Sequence, residues 1–138
     1  IDPRADEMAM APTGVETVLT PMPEALVRMA PPGTAFVILT HDHALDFLIA
    51  REALGRADAV YVGMIGSRSK RAQFHRWLDR AEGGAVDATR LTCPIGAAGR
   101  PDKRPEVIAA FVATEIFGVI LGRAAVTAPA AEAADRNE

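Results

Sequence analysis

The stretch at residues 60–71, Val-Tyr-Val-Gly-Met-Ile-Gly-Ser-Arg-Ser-Lys-Arg, leaves this chain few choices of local structure. A short apolar run rich in β-formers stops at Gly63, a second glycine follows at Gly66, and Ser67 then precedes a basic segment. That order spells strand, tight turn and helix. The glycines let the backbone bend and let a ligand come close. Ser67 is suited to accept a hydrogen bond from the orphan amides of the helix start, while the remaining amides face outward at the positive end of the dipole. Arg68, Lys70 and Arg71 add charge of the same sign, so the turn suits an anion such as a phosphate. The competing reading is a glycine-containing turn followed by a solvated basic helix start. One helix terminus contributes about 0.3–1 kcal/mol toward a charge, against about 8 kcal/mol for micromolar binding. A site here therefore needs further loops on the same edge.

The chain in order supplies them. Residues 15–19 alternate as a short strand, and Pro21 and Pro23 open a helix over 22–30 with Leu26 and Met29 inward. Residues 35–40 form a continuous apolar run, the pattern of a strand buried on both faces. His41-Asp42-His43 follows, then a helix over 44–54 with Leu45, Leu48 and Ile49 inward. Residues 59–62 make the next strand. A helix over 67–82 carries Phe74, Trp77 and Leu78 on its apolar stripe. Residues 90–96 form a last short strand breaking into a loop, and Pro105 starts a long final helix. Strands alternating with helices predict an α/β fold, a three-layer parallel sheet with helices on both faces. Ligands in such sheets bind outside the carboxyl ends of the strands. The loops at 41–43, 63–67 and 93–96 all follow strands and are expected on one rim, with Asp2 joining them from the end of its own strand.

With 138 residues and 49% hydrophobic content, the chain is sized for one packed domain, expected over 1–123. Residues 124–138 are rich in Ala, Asp and Glu and are expected to form a disordered tail. A net charge of −3 argues against nucleic acid as a partner. No apolar run is read as reaching the roughly 18 residues of a membrane span, because Thr114 and Glu115 interrupt residues 107–121. No signal peptide is evident, and the single Cys93 excludes an internal disulfide, so a cytoplasmic setting is expected. The opening Ile1-Asp2-Pro3-Arg4 reads as the end of a strand, and the chain is expected to be a fragment of a longer protein.

Each chemical constellation has a structural alternative. His41 and His43 flank Asp42 and are of metal-binding types, yet Asp42 capping the following helix is the favoured reading and no metal is assigned. Cys93, before Pro94, is either a buried small hydrophobe or a soft ligand or nucleophile. Lys103, after Asp102, offers a second cation at the rim or a solvated loop. No nucleophile motif, Walker loop or zinc-protease helix is present, nor a Gly-x-Gly-x-x-Gly fingerprint.

Residues 40–46 (Thr-His-Asp-His-Ala-Leu-Asp), 61–67 (Tyr-Val-Gly-Met-Ile-Gly-Ser), 94–96 (Pro-Ile-Gly) and 103–109 (Lys-Arg-Pro-Glu-Val-Ile-Ala) together resemble the carboxy-terminal domain of the xanthine dehydrogenase accessory protein family (XdhC/CoxI). The opening Ile1-Asp2-Pro3-Arg4 is similar to that family's second Rossmann strand. The resemblance, from residue 1 to about 122, implies a Rossmann-like domain lacking its first strand and Gly-rich turn. It further implies a non-enzymatic chaperone that binds the molybdenum cofactor (molybdopterin), supports its sulfuration with a cysteine desulfurase, and passes it to a xanthine dehydrogenase-type apoenzyme. The loops at 41–43 and 63–67 match family motifs, and Asp2 matches the acidic residue that holds a ribose in nucleotide-binding Rossmann folds. Inferred from position and residue type, the expected cofactor-binding set is Asp2, His41, Asp42, His43, Gly63, Gly66, Ser67, Arg68, Lys70, Arg71, Cys93, Gly96 and Lys103. The amino-terminal part of the same protein is an expected partner. A homodimer is another, with Trp77 and the final helix either its surface or, equally well, explained by core packing. The alternative function is an NAD(P)-binding oxidoreductase, in which Asp2 holds a ribose.

Overall fold

A computed structural model describes residues 1–80, 86–97 and 104–127. The chain divides into two compact units, Ile1–Ile95 and Gly96–Glu138, each described by itself. In the first unit the elements run α1 (Ala5–Ala9), α2 (Pro23–Met29), β1 (Ala35–Ile38), α3 (His43–Leu54), β2 (Tyr61–Met64), α4 (Arg68–Leu78) and β3 (Leu91–Thr92). The strands form one sheet in the order β1-β2-β3, parallel throughout, with Phe36 beside Val62 and Val62 beside Leu91. This is the open parallel sheet expected from the alternation of apolar runs and helices.

The register assigns each face. Phe36 and Ile38, Val62 and Met64, and Leu91 and Cys93 belong to one cluster with Val27 of α2, Phe47, Ala50 and Leu54 of α3, and Phe74 of α4. Phe47 meets Phe74 edge-on, with centroids 5.3 Å apart, and Phe74 stacks on Trp77. The opposite face carries Val37 and Gly63 in register. Val37 is exposed, as is Leu39 beyond the end of the strand. The expectation that residues 35–40 are buried on both faces is thereby corrected: in the first unit α2, α3 and α4 all pack on the same side.

Helix phases differ from the sequence reading in a consistent way. In α2 the buried pair is Pro23 and Val27, four residues apart, while Met29 is exposed and Leu26 half-buried. In α3 the inward set is Asp46, Phe47, Ile49, Ala50, Ala53 and Leu54, and Leu48 is exposed. Large side chains pointed to one stripe, but the covered face takes in Phe47 and Leu54 together with the small Ala50 and Ala53. Residues 15–19 make only a bridge: Asp2 pairs in parallel with Leu19, its amide donating to Val18 (3.2 Å) and its carbonyl accepting from Thr20 (3.4 Å).

At the amino ends of the strands two arginines satisfy carbonyls. Arg56 donates to Val27 (2.7 Å), and Arg90 to Leu54 (3.2 Å), Arg56 (3.1 Å) and Ala59 (3.0 Å). Such buried acceptors are costly if left unpaired.

In the second unit α5 spans Pro105–Thr127. It begins at the expected proline and continues into the segment read as a tail; residues 128–138 lie outside the described residues. Its stretch Pro105–Gly122 has a mean hydropathy of 1.7 over 18 residues, long and apolar enough to cross a membrane by length and composition. This corrects the reading that Thr114 and Glu115 break the run, since the surrounding aliphatic residues outweigh them.

Candidate functional site

Parallel strands end on the same side of a sheet, so the segments after β1, β2 and β3 share one rim. They are also bonded together. The Ile65 amide donates to the Ile38 carbonyl (2.9 Å), and the Ile95 amide to that of Met64 (3.3 Å). Cys93 Sγ lies 3.9 Å from the Ser67 carbonyl oxygen. The rim predicted for the first unit is therefore present.

After β1, Asp42 caps α3, accepting from the amides of Ala44 (2.7 Å) and Leu45 (3.4 Å), and Thr40 Oγ1 accepts from the Asp42 amide (3.2 Å). The carboxylate is thus used as the capping alternative required. His41 and His43 flank it, both exposed.

After β2, Ser67 caps α4 by accepting from the Lys70 amide (3.2 Å). The first turn holds no acid, and Arg68, Ser69 and Arg71 are exposed. Outward-facing amides and two solvent-facing guanidiniums fit a phosphate group.

Three expected site residues have other work. Lys70 is buried, not at the surface: its ammonium pairs with the carboxylate of Asp46 and donates to the Ile65 carbonyl (2.9 Å). Helix geometry turns position 70 inward while 68 and 71 face water. Gly63 is buried in the strand; a Cβ there would lie 2.5 Å from Tyr61 Cε1 and 2.6 Å from Ile95 Cγ2. Its missing side chain thus makes room for two neighbours instead of a ligand. Gly66 is exposed, and the space beside it holds the stem of Lys70, with Cδ at 2.6 Å from a Cβ position.

The sequence reading passed over Asp46. Fully buried, it accepts from the Thr40 amide through Oδ1 (3.0 Å) and binds Lys70 through Oδ2, tying the loop after β1 to the turn after β2. An acid at a core-facing position among Leu45, Phe47 and Ile49 was the available signal.

Asp2 stands near this rim. Arg4 holds its carboxylate through Nε (2.9 Å) and Nη2 (3.0 Å), and the Arg4 amide donates to it as well (2.9 Å). These bonds, with a smaller contribution from the charge of His41, lower its pKa to about 2. Three bonds from Arg4 take most of the roughly four acceptor positions of this carboxylate, the group that would hold the ribose of a dinucleotide.

Cys93 is 4% exposed, and burial pushes its thiol above the usual range, against the opposing charges of Lys70 and Arg71. A protonated, covered thiol reacts slowly. Alkylation of the native chain by iodoacetamide at pH 8 is expected to run at least about tenfold slower than after unfolding in urea, followed by mass spectrometry. Equal rates would show Cys93 to be accessible.

Gly96 opens the second unit with φ +67°, a conformation that favours glycine, and a Cβ there would meet the Ile108 carbonyl oxygen at 3.2 Å. Lys103 lies outside the described residues.

Compared with known proteins, residues 1–116 match the sequence model of the XdhC Rossmann domain. No curated protein sequence matches the chain. The family match covers the whole sheet, its rim and the start of α5, and on that coverage the chain belongs to the XdhC Rossmann domain family.

Proposed function

We propose that the rim binds the molybdenum cofactor, in its molybdopterin form, and that the protein assists the cofactor's sulfuration and its delivery to a xanthine dehydrogenase-type apoenzyme. The family match supports a part in xanthine dehydrogenase maturation. The observation that carries the finer reading is the first turn of α4, with Arg68 and Arg71 exposed, no acid and Ser67 at the cap. A terminal phosphate is matched there in charge and in hydrogen-bond donors. The polar ring system of a pterin finds partners in the exposed His41 and His43 on the neighbouring loop. Cytoplasmic residence, a cysteine desulfurase partner and a homodimer belong to the same proposal. No constellation of nucleophile and base is needed for a carrier.

The test is a fluorescence titration of molybdopterin into the full chain. Arg68→Ala combined with Arg71→Ala is expected to weaken binding by about 10-fold or more, since a charge-assisted hydrogen bond contributes about 1.5–3 kcal/mol. Undiminished affinity would place the phosphate elsewhere. Tight NADH binding with no molybdopterin binding would favour the dinucleotide reading, which the Arg4 contact to Asp2 argues against.

A further inference from the structure

Positive charge is gathered on α4. Residues 66–80 hold five of the chain's 15 lysines and arginines, and Asp79 is the one acid among them out of 18 in the chain. Lys70 is engaged inside with Asp46. Arg68, Arg71, Arg76 and Arg80 are exposed, and among the described residues none of these four makes an ion pair. Other arginines of the first unit do find acids: Arg4 pairs with Asp2 and Glu7, Arg28 with Glu52, and Arg56 with Asp58. The clustering works against the helix that carries it. Bases in a first turn oppose the dipole, and like charges one turn apart repel. Such a local conflict, with no compensating contact inside the chain, marks a surface shaped for something outside it.

We propose that this face docks a protein surface carrying a row of carboxylates. Positions four apart lie in one row along a helix. Arg68, Ala72 and Arg76 share such a row, about 12 Å from end to end, and Arg80 follows just past the helix. The exposed residues between the arginines, Ser69, Ala72 and Gln73, are uncharged, so they add nothing that repels an acidic partner. Guanidinium forks take carboxylates by two parallel bonds, which fixes orientation as well as charge. Two other polyanions fit less well. A lipid surface is held by apolar side chains sunk among the headgroups, and single-stranded nucleic acid by rings on which bases stack. No large apolar or aromatic side chain is exposed between residues 68 and 80. The row starts at the Ser67 cap, so a partner seated on it lies beside the rim.

This proposal is independent of the cofactor, and its test needs none. The probe is a helical peptide of about 16 residues, mostly alanine, with glutamate at every fourth position, followed by fluorescence anisotropy as the full chain is added. A second peptide has the same composition with its glutamates spread around the helix. The first is expected to bind at least about fivefold more tightly than the second. Its affinity is expected to fall as salt rises from about 50 to about 300 mM. Arg76→Glu is expected to weaken it at least about fivefold. Should that variant fold poorly, Arg80→Glu is expected to act in the same direction. Arg28→Glu makes the same change in net charge outside this face, at a side chain 53% exposed. It is expected to leave the affinity within about twofold. Equal losses in Arg76→Glu and Arg28→Glu would overturn the proposal, since net charge alone would then explain the binding. Equal affinity for the two peptides would do so too, as would tighter binding of single-stranded RNA or phosphatidylserine vesicles that is lost on Arg76→Glu.

Discussion

Asp46→Ala is expected to destabilise the chain by about 3–5 kcal/mol, the cost of breaking a buried ion pair by removing one partner. The Lys70 ammonium keeps only the Ile65 carbonyl, and the Thr40 amide loses its acceptor. Against a total stability of about 5–15 kcal/mol, that is enough to unfold a large share of the molecules on mild heating. The pair is not strongly stabilising in itself. Replacing both residues, Asp46→Leu with Lys70→Met, is expected to leave stability unchanged or to raise it, because no uncompensated charge stays inside. Urea denaturation of the two variants separates these effects. A loss under about 1 kcal/mol for Asp46→Ala would mean that water reaches the pair and that its burial is not what holds the loops.

Gly63→Val is expected to be the second most damaging change. Even a methyl group at this position would run against the Tyr61 hydroxyl and lie 2.5 Å from Tyr61 Cε1 and 2.6 Å from Ile95 Cγ2, both residues being buried. Overpacking of this kind costs about 1–3 kcal/mol or more. The loss would appear in urea titration with no ligand added. Ile95→Ala removes one of the obstructing atoms, so the double variant Gly63→Ala with Ile95→Ala is expected to lose less than the sum of its parts. Strict additivity would show that Ile95 yields freely and that the crowding comes from Tyr61.

Much of the fold could be read before any coordinates, because periodicity and punctuation report directly on backbone geometry. Pro23 and Pro105 start helices, and Ser67 and Asp42 cap them, as their chemistry requires. The shared rim was also legible, since parallel strands leave no other place for the loops that follow them. What escaped depended on distant partners. Whether Lys70 faces water or Asp46 is decided by a partner 24 positions away along the chain, and no local pattern around position 70 announces it. Gly63 reads as a hinge in one dimension and as clearance for Tyr61 and Ile95 in three. Val37 and Leu39 belong to an apolar run that looks fully interior, yet both are exposed, because α2, α3 and α4 of the first unit pack on the other face.

The Asp46 carboxylate has one oxygen on the backbone of one loop and the other on a side chain anchored in the next. The two segments consequently cannot drift apart one at a time; a displacement of either strains the same carboxylate. The cofactor proposed for this rim would then meet loops already tied together by folding, and less of its binding free energy would go to ordering them.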